Sequence, residues 1–115
     1  MLVEDTPDLL ENLTDTLRME GYDVTTATNG LEALEILSTK IPDLIITDLL
    51  MPKMDGFTLV KKIKTMQRLG KVPLMIFSAK PISDKEANEI GATLYVKKPC
   101  AIENLLKSIH EIIYG

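Results

Sequence analysis

The chain lacks several features that would place it in particular classes of protein. Its 115 residues contain a single cysteine, Cys100, which excludes an internal disulfide and fits a cytoplasmic location. No apolar run approaches about 18 residues, so insertion into a membrane is not expected. The first residues lack the basic segment and the long apolar core of a secretory signal, so none is expected.

An excess of basic charge is also missing. The chain has 13 lysines and arginines against 17 acidic residues, a net charge of -4. This balance argues against direct binding of nucleic acid through an extended basic surface. The sequence has no repeat, low-complexity tract or Ser/Gly linker. We therefore expect one globular domain over residues 1–115.

The chain does contain short apolar runs that alternate with helical patterns. They predict strands at residues 1–3, 22–27, 44–47, 72–77 and 93–96, and helices at residues 7–20, 31–39, 56–69, 83–90 and 101–113. Such alternation is typical of βαβ units that form a parallel sheet. Right-handed crossovers favour a doubly wound (βα)5, flavodoxin-like α/β sandwich with strand order 2-1-3-4-5.

Charged side chains follow three of these strands at their carboxyl ends. Glu4 and Asp5 follow the first strand, Asp48 follows the third, and Lys98 comes shortly after the fifth. In the order 2-1-3-4-5 the first and third strands are neighbours, and ligands bind outside the carboxyl ends of strands in such sheets. We therefore expect Asp5 and Asp48 to lie together.

Three carboxylates at one edge of a sheet repel each other. Two like charges about 5 Å apart cost about 3 kcal/mol at an effective dielectric near 20, so we expect either a bound cation or a carboxyl that stays protonated. Carboxylates, a carbonyl and waters are the ligands of Mg²⁺. We expect Asp5 and Asp48 as direct ligands, the backbone carbonyl of Leu50 as a third, and Glu4 as a ligand directly or through water.

With the metal present, Asp48 could attack phosphorus and form an acyl phosphate. Lys98 would neutralise charge on the transferring oxygens, and Ser78, at the end of the fourth strand, would donate its hydroxyl to one of them. Taken singly, each of these residues is also compatible with a turn, a helix cap or a solvated surface charge.

The pattern resembles a known family from Leu2 to about Ile113, namely the CheY-like receiver domain of two-component response regulators. The segments that carry the resemblance are Val3-Glu4-Asp5, Asp48-Leu49-Leu50-Met51-Pro52, Met54-Asp55-Gly56, Ser78-Ala79, Gly91-Ala92 and Tyr95 to Pro99. Each segment is common by itself. Their order and spacing across five βα units make the resemblance specific.

The resemblance implies a role for each residue of the site. Asp48 would accept a phosphoryl group from a sensor histidine kinase or a histidine phosphotransfer protein, and Glu4 and Asp5 would hold Mg²⁺. Lys98 would pair with the phosphoryl group. Ser78 would be the switch hydroxyl and Tyr95 the switch aromatic.

The resemblance also implies how the domain would act. Pro99 would follow a cis peptide bond. Helix four, strand five and helix five would form the face that binds an output domain, a downstream protein or a second receiver. Apart from self-catalysed phosphorylation and dephosphorylation, we expect no enzyme activity.

The chain departs from the family pattern at several positions. Only three residues precede Glu4, so we expect the first strand to be truncated at its N-terminus. Cys100 stands where phenylalanine is frequent. Leu50 and Lys80 flank the route of an attacking water, which leaves the lifetime of the acyl phosphate open.

Three other functions compete with this interpretation. A haloacid-dehalogenase-like aspartyl phosphotransferase would need a second aspartate two residues after Asp48, where Leu50 stands. A nucleotide- or flavin-binding module would need a phosphate loop rich in Gly, Ser or Thr after the first strand, but the segment from Glu4 to Pro7 is acidic and has no glycine. A degenerate receiver would act by binding alone, and the intact acid, hydroxyl and lysine set argues against it.

Overall fold

The computed structural model describes residues 1–115 as a five-stranded sheet with helices between the strands. The elements are β1 (Leu2–Val3), α1 (Pro7–Met19), β2 (Thr26–Ala27), α2 (Gly30–Leu37), β3 (Ile45–Thr47), α3 (Gly56–Thr65), a 3-10 turn (Gln67–Leu69), β4 (Leu74–Ser78), α4 (Asp84–Glu89), β5 (Leu94–Lys97) and α5 (Ile102–Tyr114). All strands pair in parallel in the order β2-β1-β3-β4-β5. The predicted doubly wound topology is confirmed.

The core consists of two buried layers, one on each face of the sheet. Alternate residues of each strand point to opposite faces. Ile45 therefore packs with the apolar residues of α2 and α3, whereas Ile46 packs with those of α1 and α5. Residues 44–49 are all buried, as expected of a central strand that is covered on both faces. This burial fixes the end of β3, where Asp48 lies.

Two predicted elements are longer than those in the structure. β2 is limited to Thr26 and Ala27, because β1 offers only Leu2 and Val3 as ladder partners. α3 ends at Thr65 instead of residue 69, because Met66 takes an extended conformation with φ -86° and ψ 108°. The chain then continues into the 3-10 turn.

One predicted side-chain position is also wrong. The apolar pattern of the second helix predicts that Leu31 faces the core, but Leu31 is 51% exposed, because α2 begins at Gly30 and turns Ala33 and Leu37 inward. Thr6 stands at the N-cap of α1, as its position before Pro7 predicts, although its side chain makes no capping bond. The backbone N–H of Thr6 instead donates to a carboxylate oxygen of Glu4 at 3.1 Å.

The connections at the carboxyl edge of the sheet complete the frame of the site. The peptide bond between Lys98 and Pro99 is cis, as expected. α4 is short and has Ala87 as its buried residue, and Ser83 and Glu86 form a capping box at its start.

No helix of the structure has the length and apolar content needed to cross a bilayer.

Gly56 brings the start of α3 against the end of β3. Its N–H donates to the carbonyl oxygen of Leu49 at 3.0 Å. A Cβ atom at this position would collide with the carbonyl oxygen of Asp48 and would lie 2.6 Å from the Cα of Leu49. The contacted atoms are backbone, which cannot rotate away as a side chain could.

We therefore expect Gly56→Ala to lower the free energy of unfolding by about 1–3 kcal/mol through overpacking. Urea denaturation followed by circular dichroism measures the change. Gly70→Ala is the matched control, because a Cβ there would meet only the carbonyl oxygen of Gln67, at 3.3 Å. Equal losses of stability in the two variants would contradict the assignment of Gly56 to a close backbone approach.

Candidate functional site

Asp48 directly follows β3 and is only 6% exposed. Its Oδ1 atom accepts hydrogen bonds from the backbone N–H of Leu49 at 2.6 Å, the N–H of Leu50 at 3.0 Å and the hydroxyl of Ser78 at 2.5 Å. Its Oδ2 atom accepts one, from Lys98 Nζ at 2.9 Å. One oxygen of the carboxylate is thus anchored by three donors, and the other retains most of its lone-pair capacity.

These donors set the protonation state of Asp48. Burial favours the neutral acid, but the hydrogen bonds from Ser78, Lys98 and Leu50, with the positive charge of Lys98, together outweigh it. The pKa of Asp48 is therefore held below its usual value. Asp48 is a carboxylate at neutral pH, which is the form that can act as a nucleophile.

Lys98 connects two carboxylates from different strands. Its Nζ atom lies 2.6 Å from Oε1 of Glu4 and 2.9 Å from Oδ2 of Asp48. The hydrogen bond from its backbone N–H to the carbonyl oxygen of Ser78, at 2.9 Å, ties the end of β5 to the end of β4. Burial would lower the pKa of Lys98, but Glu4 and Asp48 more than offset this and raise it. The lysine remains charged.

The three acids form the cluster expected from the sequence. Glu4, Asp5 and Asp48 each offer a carboxylate oxygen, and these oxygens lie within 4.8 Å of one another. Glu4 is 2% exposed and engages Lys98 through Oε1 and the N–H of Thr6 through Oε2. Asp5 is half-buried, and its carboxylate has no hydrogen bond or ion pair within the protein.

This donor set fits a hard divalent cation. Three carboxylates against one lysine leave a formal charge of -2 in a partly buried space, and Asp5 brings to it a carboxylate oxygen without a partner in the protein. Oxygen ligands of this kind are those that Mg²⁺ takes in proteins. Glu4, Asp5 and Asp48 would hold the ion. The backbone carbonyl of Leu50 as a further ligand stays a prediction, since the recorded contact of Leu50 is through its N–H.

The two residues expected to act as a switch are linked through the loop after β4. Ser78 is fully buried, and its hydroxyl donates to Asp48 while it accepts from the N–H of Lys80 at 3.3 Å. Tyr95 is half-buried and donates its hydroxyl to the carbonyl oxygen of Lys80 at 2.7 Å. A short path of hydrogen bonds therefore runs from the carboxylate of Asp48 to the ring of Tyr95.

The sequence interpretation missed the backbone part of the site. It assigned no role to the N–H groups of Leu49 and Leu50, which anchor Asp48. It also assigned none to Thr47, whose fully buried hydroxyl donates to the carbonyl oxygen of Asp48 at 2.9 Å. Thr47 carried a signal, since it is a polar residue in an otherwise apolar strand.

A parallel, doubly wound sheet with an acidic pocket at its carboxyl edge defines the class of this domain. The sequence model of the response regulator receiver domain matches residues 1–110. The chain therefore belongs to the family of receiver domains of two-component signalling.

Two relatives and one solved structure illustrate the similarity. The chain is 35% identical to the sensor histidine kinase TmoS of Ectopseudomonas mendocina, over 98% of its own length and 12% of that protein. It is also 35% identical to the response regulator SaeR of Staphylococcus epidermidis, over 98% of its own length and 49% of SaeR. The chain thus spans at most about half the length of these relatives.

The structure resembles the receiver domain of the sensor histidine kinase PA1611 of Pseudomonas aeruginosa. The TM-score is 0.89 at 25% identity, with 99% of this chain and 95% of the other covered. That receiver domain has a magnesium ion coordinated in its active site cleft.

Proposed function

We propose that this domain accepts a phosphoryl group on Asp48, in the presence of Mg²⁺, from a phosphohistidine of a sensor kinase or a histidine phosphotransfer protein. The observation that carries the proposal is the arrangement of the Asp48 carboxylate. Three donors anchor Oδ1, while Oδ2 lies beside the charged Lys98. This is an ionised nucleophile with a fixed orientation and a neighbouring cation.

In the proposed transfer, Oδ2 of Asp48 forms a bond to phosphorus as the P–N bond of the phosphohistidine breaks. The electron pair of that bond leaves on the imidazole nitrogen, and the product is an acyl phosphate. Lys98 turns from the carboxylate to the phosphoryl oxygens, where it balances their charge. Because one oxygen is anchored in advance, little of the carboxylate's rotational freedom has to be lost in the transition state.

Glu4, Asp5 and Asp48 would hold Mg²⁺. When bound, the ion would neutralise part of the charge of the carboxylates and the phosphoryl group. The magnesium in the receiver domain of PA1611 supports this assignment. The unpaired carboxylate of Asp5 supports it independently.

The phosphoryl group adds about -1.5 to -2 charges and new acceptor oxygens. We propose that the hydroxyl of Ser78 leaves Oδ1 of Asp48 for one of these oxygens and moves the loop to which Tyr95 is bonded. The face formed by α4, β5 and α5 then changes its affinity for an output domain, a downstream protein or a second receiver. The two relatives described above are a sensor histidine kinase and a response regulator, which supports partners of these kinds but identifies no particular one.

The test is incubation with phosphoramidate or acetyl phosphate, followed by intact-mass measurement. With Mg²⁺ we expect one phosphoryl group per chain, which hydroxylamine removes, and with EDTA we expect none. Asp5→Asn should reduce uptake about tenfold or more at equal Mg²⁺. Loss of a group that only hydrogen-bonds to a metal ligand already lowers metal affinity or activity about tenfold or more, and Asp5 would be a ligand itself.

The matched control is Asp23→Asn, which replaces an exposed acid that has no recorded ion pair. It should take up phosphoryl groups like the wild-type protein. A folded wild-type protein that gains no mass from either donor with Mg²⁺ would overturn the proposal in favour of a receiver that acts by binding alone.

A further inference from the structure

Three features of the structure meet at a single peptide group, the one between Asp48 and Leu49: two hydrogen bonds and a close approach of backbone. Its carbonyl oxygen accepts the hydroxyl of Thr47 at 2.9 Å. Its N–H, which belongs to Leu49, donates to Oδ1 of Asp48 at 2.6 Å. The missing side chain of Gly56 leaves room for it, because a Cβ there would collide with the same carbonyl oxygen and lie 2.9 Å from its carbon.

The two ends of this peptide group are mechanically linked. The C=O and N–H of a trans peptide lie in one plane and point in opposite directions. A donor that fixes the carbonyl therefore fixes the direction of the N–H. A hydrogen bond to the carbonyl oxygen also polarises the peptide and strengthens the bond made by its N–H.

We infer that Thr47 is a positioning residue for phosphoryl transfer, which acts on Asp48 through the peptide group that joins Asp48 to Leu49. This inference rests on the proposed function and deepens it. The hydroxyl of Thr47 holds the carbonyl end, and the N–H end holds Oδ1 of the nucleophile. Thr47 is fully buried and belongs to β3, so its hydroxyl is on a rigid element and does not compete with water.

Substitution of the hydroxyl tests the inference in two ways. Thr47→Val keeps the shape and removes the donor, whereas Thr47→Ser keeps the donor and removes the methyl group. At saturating phosphoramidate and Mg²⁺ we expect the rate of uptake to fall about fivefold to tenfold in Thr47→Val, with little change in the donor concentration at half-maximal rate. Thr47→Ser should restore most of the rate.

The second readout is the amide proton of Leu49 in the unphosphorylated protein without metal, measured by NMR. A short bond to a carboxylate shifts this proton far downfield. In Thr47→Val it should move upfield, and in Thr47→Ser it should stay near its wild-type position. A residue that only contributes to stability would leave this resonance unchanged in a folded variant.

The outcomes separate the inference from the function on which it rests. Suppose that the wild-type protein takes up the phosphoryl group. If folded Thr47→Val then does so at the same rate, or if the resonance of its Leu49 amide proton does not move, the inference is overturned and the proposed function is not. If the wild-type protein takes up no phosphoryl group, the proposed function fails, and the Leu49 amide alone decides whether Thr47 orients the peptide. If Thr47→Val does not fold, Thr47→Ala against Thr47→Ser carries the same comparison.

Discussion

Asp48→Asn is expected to abolish phosphoryl uptake from phosphoramidate and from acetyl phosphate. The amide has no negative oxygen to attack phosphorus, and no other acid of the pocket has an equivalent arrangement. Each oxygen of Glu4 has a single donor, so neither is anchored by three as Oδ1 of Asp48 is, and Asp5 has no donor to orient it. We expect the added mass to fall from one phosphoryl group per chain to none.

The fold should survive this change. Asparagine is close to aspartate in volume, and its amide oxygen can still accept from the N–H groups of Leu49 and Leu50. The circular dichroism spectrum and the cooperative melting transition should therefore be retained, which separates loss of the nucleophile from loss of structure. Hydroxylamine-labile phosphoryl groups on folded Asp48→Asn would show that another residue is the acceptor.

Lys98→Met is expected to have the largest effect on stability. It would leave Glu4 and Asp48, which are 2% and 6% exposed, without their counter-charge. Removal of one partner from a buried ion pair typically costs 3–5 kcal/mol. We expect a loss of about 3 kcal/mol in the free energy of unfolding at pH 7 without metal, at the low end because the lysine side chain is still 17% exposed.

The loss should depend on pH in a defined direction. Interactions that lower the pKa of Asp48 in the folded protein stabilise it above the usual aspartate value of about 3.9 and are lost as pH falls through the lowered value. Lys98, whose pKa is raised, contributes below its usual value of about 10.4 and loses this contribution only above it. The difference between wild type and Lys98→Met should therefore be nearly constant from about pH 5 to 9 and shrink under acid conditions.

Urea denaturation across this pH range, with and without Mg²⁺, measures both effects. Mg²⁺ should stabilise Lys98→Met more than the wild-type protein, because it restores positive charge to a more negative pocket. Lys97→Met is the matched control, since the neighbouring Lys97 is exposed and makes no ion pair. Equal stability of Lys98→Met and Lys97→Met at pH 7 would contradict the claim that Lys98 stabilises the fold by pairing with Glu4 and Asp48.

The sequence was sufficient for the fold and for the charged residues of the site. Apolar runs and helical periodicity are local, and the handedness of crossovers leaves one common strand order for five βα units. That order alone brings Asp5 and Asp48 to the same edge. Lys98 was also identified, because it comes shortly after the apolar run of the fifth strand and directly before Pro99.

What the sequence did not reveal depends on contacts between distant backbone groups. The early end of α3 follows from the backbone conformation of Met66, and the outward position of Leu31 follows from the start of α2 at Gly30. The anchoring of Asp48 by the N–H groups of Leu49 and Leu50 depends on the turn after β3. Backbone donors have no residue type that a sequence pattern could display.

The most direct test of the central claim is to locate the phosphoryl group itself. Borohydride reduces an aspartyl phosphate to homoserine, a mass change that tandem mass spectrometry assigns to one residue of a peptide. After incubation with phosphoramidate and Mg²⁺, we predict homoserine at Asp48. We predict none at Asp5, and at Glu4 none of the alcohol that a glutamyl phosphate would give, 2-amino-5-hydroxyvalerate. The corresponding alcohol at another aspartate or glutamate, or at no residue of a protein that has gained the phosphoryl mass, would contradict the assignment of Asp48 as the acceptor.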